Sequence, residues 1–255
     1  MVKTPGLTGA QTVRRAVLIL KLIAAGPAEG MRLVDIAAEL GLERPTAHRL
    51  LKALEAEGML MQRPETRRYA LGSLVFELGL HAAHPFNLID LCRPLLRNLS
   101  EVTGDTSFLF VRSGNDSVCL SRVQGTFPIQ TPAVPVGSRQ PLGVNAGGLA
   151  LLSALSLKEV TEIAGVVSPR LSSYGDLDAE QVIEYWQRAQ QTGYALIGNR
   201  AVPGVTAVGL PVISETGFPI AALSVAAISS RMTPERVAEI LPSLRAAVDT
   251  LTAQL

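Results

Sequence analysis

Hydrophobic residues recur along this chain with two different periods, and the change of period divides it. Residues 12–24 repeat at helical spacing, with Val13, Val17, Leu20 and Ala24 on one face and Arg14, Arg15 and Lys21 elsewhere. Gly26-Pro27 ends that helix. A short helix over Leu33–Leu40 follows, then a turn centred on Gly41 and a third helix from Pro45 to about Glu57, stopped by Gly58. Pro45 suits a first helical position, where its missing N–H costs nothing. Over residues 59–71 the period drops to two. Leu60–Arg63 and Arg68–Leu71 read as short strands around the turn Pro64-Glu65-Thr66. A helix from Gly72 to about His81 comes next, and a domain boundary is expected near Pro85.

The remainder mixes both periods. Leu88–Thr103 is expected as a helix, and Ser107–Arg112 and Ser117–Val123 as strands joined at Gly114-Asn115-Asp116. Residues 125–143, rich in Gly and Pro, predict an irregular segment. Helices follow over Asn145–Leu155 and Ala179–Thr192. Val205–Ile213 and Pro219–Ile228 flank Glu215-Thr216-Gly217 as an antiparallel hairpin. Thr233-Pro234-Glu235 opens a last amphipathic helix carrying Val237, Ile240, Leu241, Leu244 and Val248. The class is therefore α+β, with helices packed on a sheet. No internal repeat or low-complexity tract interrupts it.

The first segment carries the most specific pattern. Two helices that cross tightly need a small residue where they meet, and Ala37 supplies it; the turn needs a residue tolerant of positive φ, and Gly41 supplies that. Ile36, Leu40, Leu42, Ala47, Leu50 and Leu54 then close a small core. The phase of the third helix leaves Arg44, Thr46, His48, Arg49 and Lys52 to solvent, a set suited to base edges in a major groove. An ordinary αα-hairpin with a solvated charged face would look similar. The context separates them: Arg14 and Arg15 lie on the preceding helix, and Arg63, Arg67 and Arg68 lie on the hairpin that follows, placed to hold phosphate.

Charge agrees with this division. Residues 1–84 hold 11 Lys or Arg against 8 Asp or Glu, whereas residues 85–255 hold 12 against 14. The basic part is the one expected to meet a polyanion. Cys92 and Cys119 are too few for a disulfide framework or a zinc cluster and predict buried thiols. Met1–Gly9 lacks an apolar signal core, and the longest apolar run, Ile220–Ile228 broken by Ser224, falls short of a membrane span. A cytoplasmic protein with no membrane partner is expected.

The motifs Gln11-Thr-Val-Arg-Arg-Ala-Val-Leu-Ile-Leu, Asp35-Ile-Ala-Ala-Glu-Leu-Gly, His48-Arg-Leu-Leu-Lys-Ala-Leu and Arg68-Tyr-Ala-Leu-Gly resemble the N-terminal domain of the IclR family of bacterial regulators. The likeness continues through Cys92-Arg-Pro-Leu-Leu-Arg-Asn-Leu and Pro141-Leu142 to Gly209-Leu-Pro-Val and Ala221-Ala-Leu-Ser-Val, nearly the whole chain. It implies a winged helix-turn-helix over 10–72, a linker helix over 73–85, and a GAF-like α/β sandwich with an antiparallel sheet over 86–255 that binds an effector and oligomerises as a dimer or tetramer. One departure is Pro45, where the family has a capping serine.

The resemblance also places an effector at the helix start Gly143-Val-Asn-Ala-Gly-Gly-Leu149, where small residues let a ligand reach free N–H groups. The candidates are Leu142, Asn145, Ala146 and Gly147, with Ser224, Ile197 and Ala207 on the far wall. Ile197 and Ala207 stand where the family has an acid and a cysteine, which predicts a less polar pocket unless Arg200 turns inward. A small organic acid, aromatic rather than keto, is the expected ligand.

Enzymatic readings fare worse. His81 and His84 have helical spacing, but no carboxylate or cysteine follows to complete a metal site, and a surface or interface role explains them better. Ser121, Ser173 and Ser224 lack a nucleophile-elbow context. Asp176, Asp178 and Glu180 suit a helix start. No catalysis, metal or cofactor is expected. The partners expected are double-stranded DNA with a palindromic or repeated operator, a small effector and the chain itself. The rival reading is an architectural or partner-controlled DNA-binding protein whose second domain only oligomerises.

Overall fold

The computed structural model describes residues 10–27, 29–81, 87–129 and 134–255, and the chain divides into two compact units, residues 1–86 and 87–255. Met1–Gly9, and the far end of the expected linker with His84 and Pro85, lie outside the described residues.

The first unit comprises α1 (Gln11–Ala25), α2 (Leu33–Glu39), α3 (Arg44–Ala56), β1 (Leu60–Gln62), β2 (Tyr69–Leu71) and α4 (Ser73–His81). The two strands form an antiparallel wing, pairing Leu60 with Leu71 and Gln62 with Tyr69. A bridge between Met31 and Tyr69 ties the wing back to the segment before α2. Ala37 is buried at the α2–α3 crossing, and its carbonyl accepts the Leu42 N–H at 2.9 Å. Gly41 has φ +60°, and a Cβ there would touch nothing, so the backbone angle alone selects glycine. Pro45 occupies the second helical position, because α3 opens at Arg44. The N-cap Glu43 makes no side-chain bond.

The face of α1 differs from expectation. Ile19 and Ile23 are buried against Ile36, Leu51, Leu60 and Tyr69, whereas Val13 is 65% and Val17 42% exposed. Leu18 and Leu22 also interrupt the polar side, so periodicity admits more than one apolar stripe. The branched pair one turn apart is the one the core takes.

The second unit comprises α5 (Asn87–Thr103), β3 (Thr106–Ser113), β4 (Asp116–Val123), β5 (Arg139–Pro141), α6 (Ala146–Ser153), α7 (Leu157–Leu171), α8 (Ala179–Thr192), β6 (Ala195–Gly198), β7 (Val205–Ile213), β8 (Pro219–Ile228) and α9 (Pro234–Thr252). Its six strands pair antiparallel throughout, in the order β5-β4-β3-β8-β7-β6. The α+β class, with a helix-turn-helix unit and a GAF-like sandwich, is the architecture observed.

The sheet separates two cores. Ala221, Leu223, Val225 and Ala227 of β8 pack with α5 and α9. The alternate residues, Ala222, Ser224 and Ala226, face the side that carries α6, α7 and α8. Those three are small, which leaves depth on that face. Helix α7, strand β6 and strand β5 were not anticipated from the pattern. Ser156 and Glu159 form a capping box at the start of α7, a signal present in the sequence. Strands β5 and β6 span three and four residues at opposite sheet edges, too short for periodicity to register.

Asp105, 2% exposed, accepts from Arg231 Nε at 2.8 Å and Arg236 Nη2 at 3.2 Å. Both guanidinium groups also donate to the Thr103 carbonyl, which fastens the α5–β3 corner to the start of α9. Cys92 and Cys119 are buried, and burial pushes their thiols up to about 12 and about 11, so both stay protonated. No helix among the described residues is long and apolar enough to cross a membrane.

Candidate functional site

The first unit presents a basic surface built on α3. Arg44, His48, Arg49 and Lys52 are exposed along that helix and Thr46 is half-buried. The structure sorts these residues into neighbourhoods that one helical face cannot reveal. Arg49 and Thr46 line a groove with Thr12 and the half-buried Arg15 of α1. Arg14 and Arg15 also border the α2–α3 turn at Leu40–Leu42. His48 and Lys52 share a cleft with Arg67 of the wing and with Arg32, Gln62 and Thr66. Arg32, Gln62 and Thr66 were not singled out from sequence. They meet the α3 residues only because the wing folds back beside α2.

The wing arginines play unlike parts. Arg67 is exposed at the tip with φ +52°, and its carbonyl accepts from Gln62 Nε2 at 3.0 Å. Arg68 is half-buried and donates to the Gly30 carbonyl at 2.9 Å, so it buttresses the wing against the loop before α2. Arg63 is exposed where β1 enters the turn, and its carbonyl accepts the Arg67 N–H at 2.9 Å. Lys52 holds Glu55 at 2.7 Å and reaches Gln62 at 3.4 Å, and the Glu55 hydrogen bond shifts its ammonium upward, toward the charged form.

The second unit contains a cavity between α6 and the sheet. Its wall draws on Phe108 and Phe110 of β3, Asn145 and Ala146 at the start of α6, Ile197 of β6, Val205 and Ala207 of β7, and Ser224 and Ala226 of β8. Arg200, Ala201 and Val202 close one side from the β6–β7 loop. Five of the seven residues expected here, Asn145, Ala146, Ile197, Ala207 and Ser224, are thus brought together. Leu142 and Gly147 are outside the lining. Leu142 is buried in the neighbouring core of α6–α8, and Gly147 lies beneath the Phe110 ring. Phe108 and Phe110 were missed, although their i, i+2 spacing on a strand puts both on one face. Their rings stack with centroids 5.9 Å apart.

Each polar group here has a distinct status. The Asn145 side chain makes three hydrogen bonds: Oδ1 accepts the Gly148 N–H at 2.7 Å, and Nδ2 donates to Ser117 Oγ at 2.9 Å and Gln140 Oε1 at 2.8 Å. It caps and anchors α6 and also lines the cavity. The first two N–H groups of α6 have no partner within the helix by construction, and the helix dipole adds partial positive charge there. Ser224 is 2% exposed and lines the cavity, and among the described residues its hydroxyl meets no hydrogen-bond partner. Arg200 is among the lining residues, with its guanidinium bonded to the Tyr185 hydroxyl and the Gly175 carbonyl, so the wall expected to be apolar includes a cationic residue. The accessible volume is about 40 Å³. A water needs ~10–15 Å³, and a cavity known to take benzene measures ~150 Å³, so this space is small for an aromatic ring.

Comparison with known proteins agrees over both units. The profile of the IclR helix-turn-helix domain matches residues 12–64, and that of the bacterial transcriptional regulator IclR C-terminal domain matches residues 80–253. The HTH-type transcriptional regulator BhcR of Paracoccus denitrificans is 30% identical over 235 residues, covering 90% of this chain and 81% of its own. The transcriptional repressor IclR of Escherichia coli is 28% identical over 242 residues, covering 93% and 88%. The crystal structure of an IclR homologue from Microbacterium hydrocarbonoxydans, complexed with 4-hydroxybenzoate, superposes with a TM-score of 0.76 at 21% identity, covering 95% and 98%.

The approach of α6 to the sheet is testable at Gly147, where an added Cβ would stand 2.2 Å from Phe110 Cδ2. Alanine favours a helix over glycine by roughly 0.5–1 kcal/mol, while overpacking costs about 1–3 kcal/mol. Gly147→Ala is therefore expected to lower stability by about 1–2 kcal/mol in urea unfolding. A gain in stability would show that α6 does not need this closeness.

Proposed function

Because the chain belongs to the IclR family of bacterial transcriptional regulators, it is a DNA-binding regulator, and we propose that it is a repressor controlled by a small organic acid held between α6 and the sheet. The observation that carries the effector half is the cavity itself. A buried hydroxyl at Ser224, the start of α6 and a stacked aromatic pair meet around one space. Repression is favoured by the relative from Escherichia coli, which is named a repressor.

On the DNA side, α3 enters the major groove. Arg49 pairs with a base, and Arg44, Thr46, His48 and Lys52 assist along the groove. Arg14 and Arg15 hold phosphate beside α1, while Arg63 and Arg67 do so from the wing, with Arg68 keeping the wing in place. One helix touches only a few base pairs, so the chain acts as a dimer or tetramer on a palindromic or repeated operator. Phe76 and Leu78 of α4, 70% and 50% exposed, offer apolar surface for that assembly. Leu74 and Val75, expected to share this role, are half-buried. The reading includes no catalysis, metal or cofactor, and the site of action is the cytoplasm.

On the effector side, the carboxylate meets the α6 start, and an apolar ring lies against Phe108 and Phe110. The Microbacterium homologue, whose complex contains 4-hydroxybenzoate, makes a hydroxylated aromatic acid a natural class to test. A cavity of about 40 Å³ is small for a ring, so in this reading the wall yields on entry. That requirement supplies the coupling: a ligand that binds only an expanded state shifts the population toward it.

Arg49→Ala is expected to cost about 1–3 kcal/mol on the operator and to relax one base position, whereas Arg67→Ala should weaken all sequences alike and flatten the salt slope. Fluorescence anisotropy across a salt series on operator and random DNA reads both; equal loss on the two DNAs for Arg49→Ala would remove its base-reading role. Sedimentation velocity at micromolar concentration should give a dimer or tetramer, and a monomer with and without DNA refutes the assembly. Calorimetric titration of the full chain should show benzoate-type acids binding more tightly than glyoxylate, with Ala146→Trp abolishing and Ser224→Ala weakening the binding by about 1 kcal/mol. Intact binding in Ala146→Trp places the effector elsewhere.

A further inference from the structure

We propose that Arg200 is the residue that receives the effector's carboxylate and sets the preference for an anion; the proposal rests on the cavity reading above. Asn145 spends its amide on α6, β4 and β5, and Ser224 offers one hydroxyl. Apart from Arg200, Asn145 and Ser224, the described lining is hydrocarbon and aromatic, and Arg200 is its one charged side chain. An acid seated there on a hydroxyl and two backbone N–H groups alone would bring a formal charge into an apolar space without a counter-ion, which is strongly unfavourable. Arg200 is the one cation in that wall among the described residues.

Its surroundings prepare it for the task. Nε and Nη2 donate to the Tyr185 hydroxyl at 3.2 and 2.9 Å, and Nη1 donates to the Gly175 carbonyl. A guanidinium carries five N–H donors, so these bonds engage three and leave two. Among the described residues no carboxylate stands within ion-pair distance of it, although Arg139, Arg170, Arg188, Arg231 and Arg236 each hold an acid. Arg200 is therefore half-buried, held in orientation by neutral oxygens, and lacks a charge partner.

The loop that presents it is closed on itself. Asn199, at φ +60°, accepts the Gly204 N–H on Oδ1 at 2.8 Å and donates its own N–H to the Val205 carbonyl at 2.8 Å. These bonds pin residues 199–205 at the mouth of the cavity without using the guanidinium. A planar fork of this kind matches a carboxylate and gains little from an amide, which competes with its own N–H groups.

The test compares benzoate with benzamide, equal in shape and different in charge, by calorimetry on the full-length protein. Wild type should favour benzoate by about tenfold or more, corresponding to about 1.4 kcal/mol. Arg200→Gln should bring the ratio near one while the unliganded melting temperature stays close to wild type. Tyr185→Phe removes an anchor of the loop and should keep most of the preference, separating a ligand contact from a loop-positioning effect. If Arg200→Gln does not fold, the wild-type ratio and Arg200→Lys, which keeps charge and loses the fork, decide the matter; an intermediate ratio supports the assignment. Benzamide binding as tightly as benzoate, or Arg200→Gln retaining the preference, overturns the role of Arg200 and leaves the cavity standing. Absence of binding by both compounds in wild type overturns the cavity reading and this assignment together.

Discussion

The effector unit depends on how closely one helix end can approach one sheet. The start of α6 rests against β3 and β7, where Gly147 meets the Phe110 ring and Gly209 meets the Ala146 carbonyl. A Cβ at either glycine would stand under 3.0 Å from its neighbour. That contact brings the polar end of a helix to the middle of a sheet whose inward β8 residues, Ala222, Ser224 and Ala226, are all small. Larger residues there would fill the space that now forms the cavity. The Asn145 cap, fastened to Ser117 and Gln140, holds the helix end in place, so the geometry belongs to the whole of β3–β5 and α6.

The first unit rests on a different constraint. A 3-residue strand pair is too short to persist alone, and the wing is secured by Tyr69, buried in the core and bridged to Met31, and by Arg68 on the Gly30 carbonyl. Those attachments set where Arg67 stands relative to His48 and Lys52. Affinity for a polyanion then comes from many exposed cations held at fixed spacing, while selectivity comes from the few that reach bases. The cost is a surface where like charges gather, offset in part where Lys52 holds Glu55.

Regulation requires that a ligand favour one of two states of the protein. At about 40 Å³ the cavity is small for an aromatic ring, and under the proposed reading the energy of widening it is what DNA binding is coupled to. The β6–β7 loop, joined through Arg200 to Tyr185 of α8 and to Gly175, is the wall with polar attachments that a ligand can rearrange. The Asp105 cluster and the α5/α9 core lie on the opposite face of the sheet and keep that side fixed.

The sequence alone determined the helix-turn-helix, because Ala37, Gly41 and the phase of α3 are local requirements that only a few residue types meet. It also determined the hairpin of β7 and β8, whose turn and alternation are contiguous, and the small-residue start of α6. Motifs running along nearly the whole chain carried the family resemblance. Tertiary structure decided which stripe of α1 is buried, since Val13 and Ile19 are equally apolar and only packing against Ile36 and Tyr69 distinguishes them. It likewise decided that Leu142 belongs to a core while Ile197 faces a cavity, and that Arg68 buttresses while Arg67 points outward. Arg200 and Tyr185 are 15 residues apart, and no local period relates them. Their meeting follows from the β6–β7 loop folding against α8, a long-range fact that spacing along the chain does not encode.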